Sequence, residues 1–248
     1  MRKSKFMLSS WLMAIMVLAS EAAFAGAGGN AANGKTIFAQ GKGDAQACVT
    51  CHGENGQGND AMGAPRLANL GYGYIVKQLS DLAGDKRTPV GLGAVMNGFA
   101  KALSDQDRRD VSAYLNTLNM TPELSDLKAL KAEGQQVGET HKGQEIVNHG
   151  VRDKVSACSS CHEYNGRGAD PMYPKIGQQK YVYLVNQLKN WRDASRANDP
   201  MGQMRAIAKN LTDDDIINVA AFLSAASPVK GAGDAVPDNN TLLHKASH

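Results

Sequence analysis

Apolar residues recur at intervals of three and four along most of the chain, and strict alternation bounded by hairpin turns is absent. Tyr74, Ile75, Gln78, Leu79 and Leu82 share one face of a helix. Ser104 and Asp107 open another with a capping-box pattern, Asp standing where Glu is usual, and Val111, Tyr114, Leu115 and Leu118 line one side of it. Thr212 and Asp215 open a third, followed by Ile216, Val219, Ala220 and Leu223. Earlier helices are predicted over Ala31–Gln40 and Lys142–Asn148. The pattern predicts an all-α fold.

These helices come in two sets. Gly34, Cys48, Pro65, the segment YIVKQL at Tyr74, Met96 and LSDQD at Leu103 are matched by Gly143, Cys158, Pro174, YLVNQL at Tyr183, Met204 and LTDDD at Leu211. The offset stays between 108 and 110 residues throughout. Six ordered matches with such small slips indicate a tandem duplication. The expected organisation is a targeting segment over 1–25, a first domain over 26–122, a linker and second domain over 123–227, and a flexible tail over 228–248. The tail is rich in Gly, Pro, Asn and Asp.

The targeting segment has a basic start at Arg2, Lys3 and Lys5, an apolar run from Phe6 to Ala19, and Ala23-Phe24-Ala25 as a cleavage site. The run is shorter than the ~20 residues of a transmembrane helix. An uncleaved anchor is the alternative to an export signal. Arg2, Lys3, Lys5 and Glu21 leave with the segment, taking the formal charge from +3 to +1. With no basic tract, nucleic-acid binding has no support. Aromatic residues make up 6% of the chain, little for two domains of this size, and a large apolar cofactor would supply the missing core.

All four cysteines lie in CVTCH, Cys48–His52, and CSSCH, Cys158–His162. A thioredoxin-like redox pair calls for a βαβ context, which neither half shows, and leaves the histidine without a role. A zinc site needs two further ligands per half, and the spare histidines do not recur. Covalent attachment of haem c uses every residue: Cys48, Cys51, Cys158 and Cys161 bond the porphyrin, and His52 and His162 reach the iron as proximal ligands. A second axial ligand should also recur. Of Met62, Met96, Met120, Met172, Met201 and Met204, Met96 and Met204 occupy equivalent places, 44 and 42 residues beyond their histidines, whereas Met62 and Met172 lie in the glycine-rich loops beside the motifs. Met201 is the competitor in the second half.

These landmarks together resemble the tandem dihaem cytochromes c of the cytochrome c4 group, over roughly residues 31–226. The resemblance implies two small helical cytochrome c-like domains, each wrapped around one covalent haem c. It also implies that the carbonyls of Pro65 and Pro174 accept the ring N–H of the proximal histidines. The spacing from histidine to proline is 13 residues in the first half and 12 in the second, which singles out the first loop for comparison. Tyr74 and Tyr183 recur and either reach haem propionates or pack on their helices.

Two filled axial positions favour outer-sphere electron transfer, and no serine-hydrolase order, P-loop or dinucleotide motif competes. The expected role is a periplasmic electron carrier rather than an enzyme. Its donor would be a quinol-oxidising complex or dehydrogenase and its acceptor a terminal oxidase. Peripheral membrane association stays open. A haem-bearing subunit of a dehydrogenase complex is the second reading, and a dihaem peroxidase with an open iron position is the third.

Overall fold

The computed structural model describes residues 28–118 and 123–227. The targeting segment and the tail from 228 fall outside them, as does Met120. Among the described residues the regular structure is helical: α1 (Ala31–Gln40), α2 (Val49–His52), α3 (Tyr72–Ala83), α4 (Val95–Ala102), α5 (Asp105–Thr117), α6 (Leu127–Ala132), α7 (Thr140–His149), α8 (Ser159–His162), α9 (Tyr181–Arg192), α10 (Gln203–Ala208) and α11 (Asp213–Ala225). Short 3-10 turns at Gly91–Ala94, Tyr164–Gly166 and Pro200–Gly202 and isolated β-bridges accompany them. Helices α1–α5 repeat as α7–α11, and α6 lies between the sets.

Each domain is organised by a crossing of its first and last helices. Asn30 caps α1 by accepting from the amides of Ala32 and Asn33, which satisfies donors the helix start leaves free. Gly34, Ile37 and Phe38 then form the buried stripe. Gly34 is required by close approach: a Cβ there would stand 1.9 Å from the Asp110 carbonyl oxygen of α5. Gly143 meets Asn218 of α11 at the same 1.9 Å. Both last helices carry the capping box that the sequence predicts, Ser104 with Asp107 and Thr212 with Asp215.

The segment between the domains is more than a spacer. Asp126 caps α6, Leu130 is buried, and Leu127 and Val137 pack with it on the core of the second domain. Ser125 Oγ accepts from the Tyr181 amide at 2.9 Å, and the Tyr181 hydroxyl donates to the Gln136 carbonyl at 2.7 Å. Helix α11 is therefore covered on several sides and buries Ile216, Val219, Ala220, Ala221, Phe222 and Leu223, so it is apolar nearly all round. Helix α5 keeps a polar outer face among the described residues. None of the helices among the described residues is long and apolar enough to cross a membrane.

Candidate functional site

Each CxxCH motif forms a single helical turn. The His52 amide donates to the Cys48 carbonyl at 3.0 Å, and the His162 amide to the Cys158 carbonyl at 2.9 Å. A helical turn sets the two cysteines of each motif three apart on one face, with the histidine following. The chain then loops back: the Gly58 amide returns to the His52 carbonyl and the Gly168 amide to that of His162, both at 2.8 Å. This return brings Pro65 and Pro174 over the rings. His52 Nδ1 lies 2.9 Å from the Pro65 carbonyl oxygen, and His162 Nδ1 lies 2.9 Å from that of Pro174. The extra residue of the first loop is absorbed beyond Gly58, where Asn59 bridges Ala64; the second loop closes one residue sooner, Ala169 with Tyr173.

Both imidazoles are buried. Burial lowers their pKa below the ordinary value, against the opposing pull of the proline carbonyl, so the rings are held neutral. A neutral ring donating through Nδ1 presents Nε2 as a lone-pair donor, the state a proximal metal ligand needs. Burial also pushes the Cys48 and Cys158 thiols up to about 11. A thiol–disulfide exchange centre works through a lowered pKa, so the direction found here opposes the redox-pair reading.

A cavity of about 510 Å³ opens beside the first motif. Cys48, Cys51 and His52 line it together with Met96 on α4, and Ile37, Phe38 and Leu115 supply apolar wall. The four residues that the sequence predicts for the first half thus share one cavity. In the second half Cys158, Cys161 and His162 repeat the proximal arrangement on α8. Met204 is half-buried on α10, which lies against α9, whereas Met201 is 88% exposed in the turn before it.

The cavity's polar wall comes from both domains, which the sequence does not predict. Tyr183, Gln187 and Asn190 of α9 line it alongside Tyr74, Gln78 and Arg87 of the first domain. Arg87 donates to Gln78 Oε1 at 2.9 Å, to Gln187 Oε1 at 3.0 Å and to the Tyr183 hydroxyl at 3.1 Å. Arg196, the repeat equivalent of Arg87, stacks on Trp191 with its guanidinium carbon 4.2 Å from the ring centroid and donates to the same two glutamine oxygens at 2.6 and 3.1 Å. Burial raises the Tyr183 pKa, but the two guanidinium groups outweigh it and the net shift is downward. Arg87 and Arg196 recur at the same offset as Tyr74 and Tyr183. That recurrence is the signal that would have found them.

The family described as Cytochrome c matches residues 31–119 and 140–227. Cytochrome c4 of Azotobacter vinelandii is 34% identical over 193 residues, 75% of this chain and 87% of that protein. The chain belongs to the cytochrome c4 family of dihaem cytochromes c. The thiosulfate dehydrogenase electron acceptor of Thiomonas intermedia is likewise 34% identical, over 196 residues covering 76% of this chain and 83% of that one. The crystal structure of reduced recombinant cytochrome c4 from Pseudomonas stutzeri superposes with a TM-score of 0.65 at 31% identity, over 79% of this chain and 98% of that one. A thiosulfate dehydrogenase from Marichromatium purpuratum superposes with a TM-score of 0.70 at 27% identity; this chain spans 84% of its own length but 44% of that chain's. As a cytochrome c4, the protein binds two haem c groups covalently and transfers electrons. The residues fit those groups: two buried neutral histidines, each beside a cysteine pair, and an apolar cavity whose one cationic wall residue, Arg87, suits carboxylates.

Proposed function

We propose that Cys48, Cys51, His52 and Met96 hold one haem and Cys158, Cys161, His162 and Met204 the other, and that the protein carries single electrons across the periplasm between respiratory-chain components. The observation that supports this best is the setting of the two histidines: each is buried and fixed through Nδ1 by a proline carbonyl. The bound groups supply one-electron chemistry at iron. The chain's part is to fill both axial positions, to exclude water with Ile37, Phe38 and Leu115, and to hold the proximal rings rigid. A filled site offers no position to a substrate, so the reading is carrier rather than catalyst.

The likeness to a protein named as the electron acceptor of thiosulfate dehydrogenase supports a dehydrogenase as donor and makes thiosulfate dehydrogenase the first one to try. A quinol-oxidising complex is the other donor class, and a terminal oxidase the expected acceptor. Mixing the oxidised protein with thiosulfate and thiosulfate dehydrogenase should reduce both haems, with two electrons taken up per chain. Absence of reduction in the presence of active dehydrogenase would exclude that donor. Turnover of hydrogen peroxide by the half-reduced protein would instead favour a peroxidase.

A further inference from the structure

The peptide that fixes His52 is itself fixed by the other domain. Pro65 C=O, which takes the ring proton of His52, and Arg66 N–H are the two ends of one peptide group. That N–H donates to Gln179 Oε1 at 2.7 Å, and Gln179 Nε2 donates back to the Arg66 carbonyl at 3.0 Å. The Arg66 guanidinium reaches the same segment of the second domain, donating to the Gln178 and Gly177 carbonyls, each at 3.1 Å. Its third partner is the Ala68 carbonyl of its own loop. Both side chains are buried, Arg66 at 6% and Gln179 at 3% exposure.

This arrangement departs from the repeat. The place of Gln179 is taken in the first domain by Leu70, which is buried in that domain's own core. The place of Arg66 is taken in the second domain by Lys175, whose ammonium donates to Asn69 Oδ1 at 2.8 Å. One proximal histidine is therefore wired across the domain boundary, and at the other no carboxamide of the opposite domain stands at the equivalent position.

We propose that Gln179 is a positioning residue for the haem of the first domain. It completes a relay from His52 Nδ1–H through the Pro65–Arg66 peptide to its own carboxamide, with Arg66 clamping the same loop. Hydrogen bonding at one end of a peptide group polarises the other. The bond at Arg66 N–H makes Pro65 O a stronger acceptor and the His52 ring a more electron-rich ligand. The second domain thereby lowers the potential of the first domain's haem relative to its own, and domain docking and ligand strength become one event. This inference rests on the reading of His52 as an iron ligand.

The test uses the haem-loaded protein and substitutions that give each domain the residue of its counterpart. In Gln179→Leu, proton NMR should show the His52 Nδ1–H exchanging roughly tenfold faster, as expected for the loss of one or two net hydrogen bonds, while the His162 Nδ1–H keeps its rate. A two-step redox titration should show the first domain's potential rising and the second's unmoved. Gln179→Glu retains the accepting oxygen and should stay closer to the wild type. Should Gln179→Leu not fold, Arg66→Lys, which gives up the guanidinium bonds to Gly177 and Gln178, should shift the His52 proton in the same direction by less. Equal changes at both histidines, or no change at His52 in a folded variant, would overturn the proposal. Failure of the ligand reading looks different: the wild-type His52 ring proton would then carry no hyperfine shift from the oxidised iron.

Discussion

The two domains use the same framework with different supports. In the first, Asp110 on α5 receives the Asn30 amide at 2.7 Å and the Asn33 side chain at 2.6 Å, tying the start of α1 to α5. In the second, Asn218 does the equivalent work with a neutral carbonyl, accepting from the Glu139 amide at 2.7 Å. The first domain adds an ion pair of Lys42 with Asp107 at 2.7 Å; the second adds one of Arg192 with Asp213, also at 2.7 Å, and the covering segment with Leu127, Leu130 and Val137. Duplication preserved what the haem needs: the motif turn, the proline carbonyl and the glycine at the helix crossing. It left the means of bracing free to diverge, so the first domain ties its crossing helices through a buried carboxylate and the second through a carboxamide with added apolar cover.

The largest effects should come where the domains agree. Gly34→Ala or Gly143→Ala places a methyl against a backbone oxygen that cannot yield without moving a helix. Each should cost about 3 kcal/mol or more, read as loss of the corresponding half of the unfolding transition. Equal stability of Gly34→Ala and wild type would mean that the α1–α5 crossing is looser than described. Leu130→Ala tests the apolar brace and should destabilise the second domain by about 2–3 kcal/mol, with denaturant unfolding of the first domain unaffected.

Acid should separate the domains in the other direction. Burial raises the Asp110 and Asp107 pKa values; the bonds from Asn30, Asn33 and Gln106 to the one, and from Lys42 and Ser104 to the other, outweigh it, so both lie below the ordinary carboxylate value. Groups with a depressed folded pKa contribute stability that is present above their unfolded value, near 4, and lost as pH falls through the folded one. The second domain's depressed carboxylates, Glu139, Asp193 and Asp213, are exposed and count for less, so the first domain should weaken below about pH 4 before the second. Asp110→Asn, which installs the second domain's residue, should cost about 1 kcal/mol at neutral pH and narrow that difference. Domain-resolved NMR during an acid titration reads both, and simultaneous loss of the two domains would contradict the assignment of the braces.

Much of this was legible in the chain itself. Periodicity gave the helices, the capping boxes gave the starts of α5 and α11, and the repeat together with the distance from each histidine pointed to Met96 and Met204. What escaped is what crosses between units. Tyr183, Gln187 and Arg87 meet at one cavity although they sit on separate helices of separate domains, and no sequence period encodes that pairing. The role of α6 was hidden because LKAL offers only two large apolar residues to a core that lies elsewhere in the chain. Gln179 was visible only as a break in the repeat, a polar residue where its counterpart is Leu70, and a break acquires meaning only once Arg66 is seen opposite it.

The central claim is that two methionines complete two histidine-ligated haems. The methionine-to-iron charge-transfer band of the oxidised protein measures it directly in Met96→Ala, Met204→Ala and Met201→Ala. The account predicts that each of the first two variants loses about half of the band, with the affected haem falling in potential, and that Met201→Ala keeps all of it. A full band in Met204→Ala together with loss in Met201→Ala would contradict the assignment in the second domain, and a wild-type band from one haem alone would contradict the claim itself.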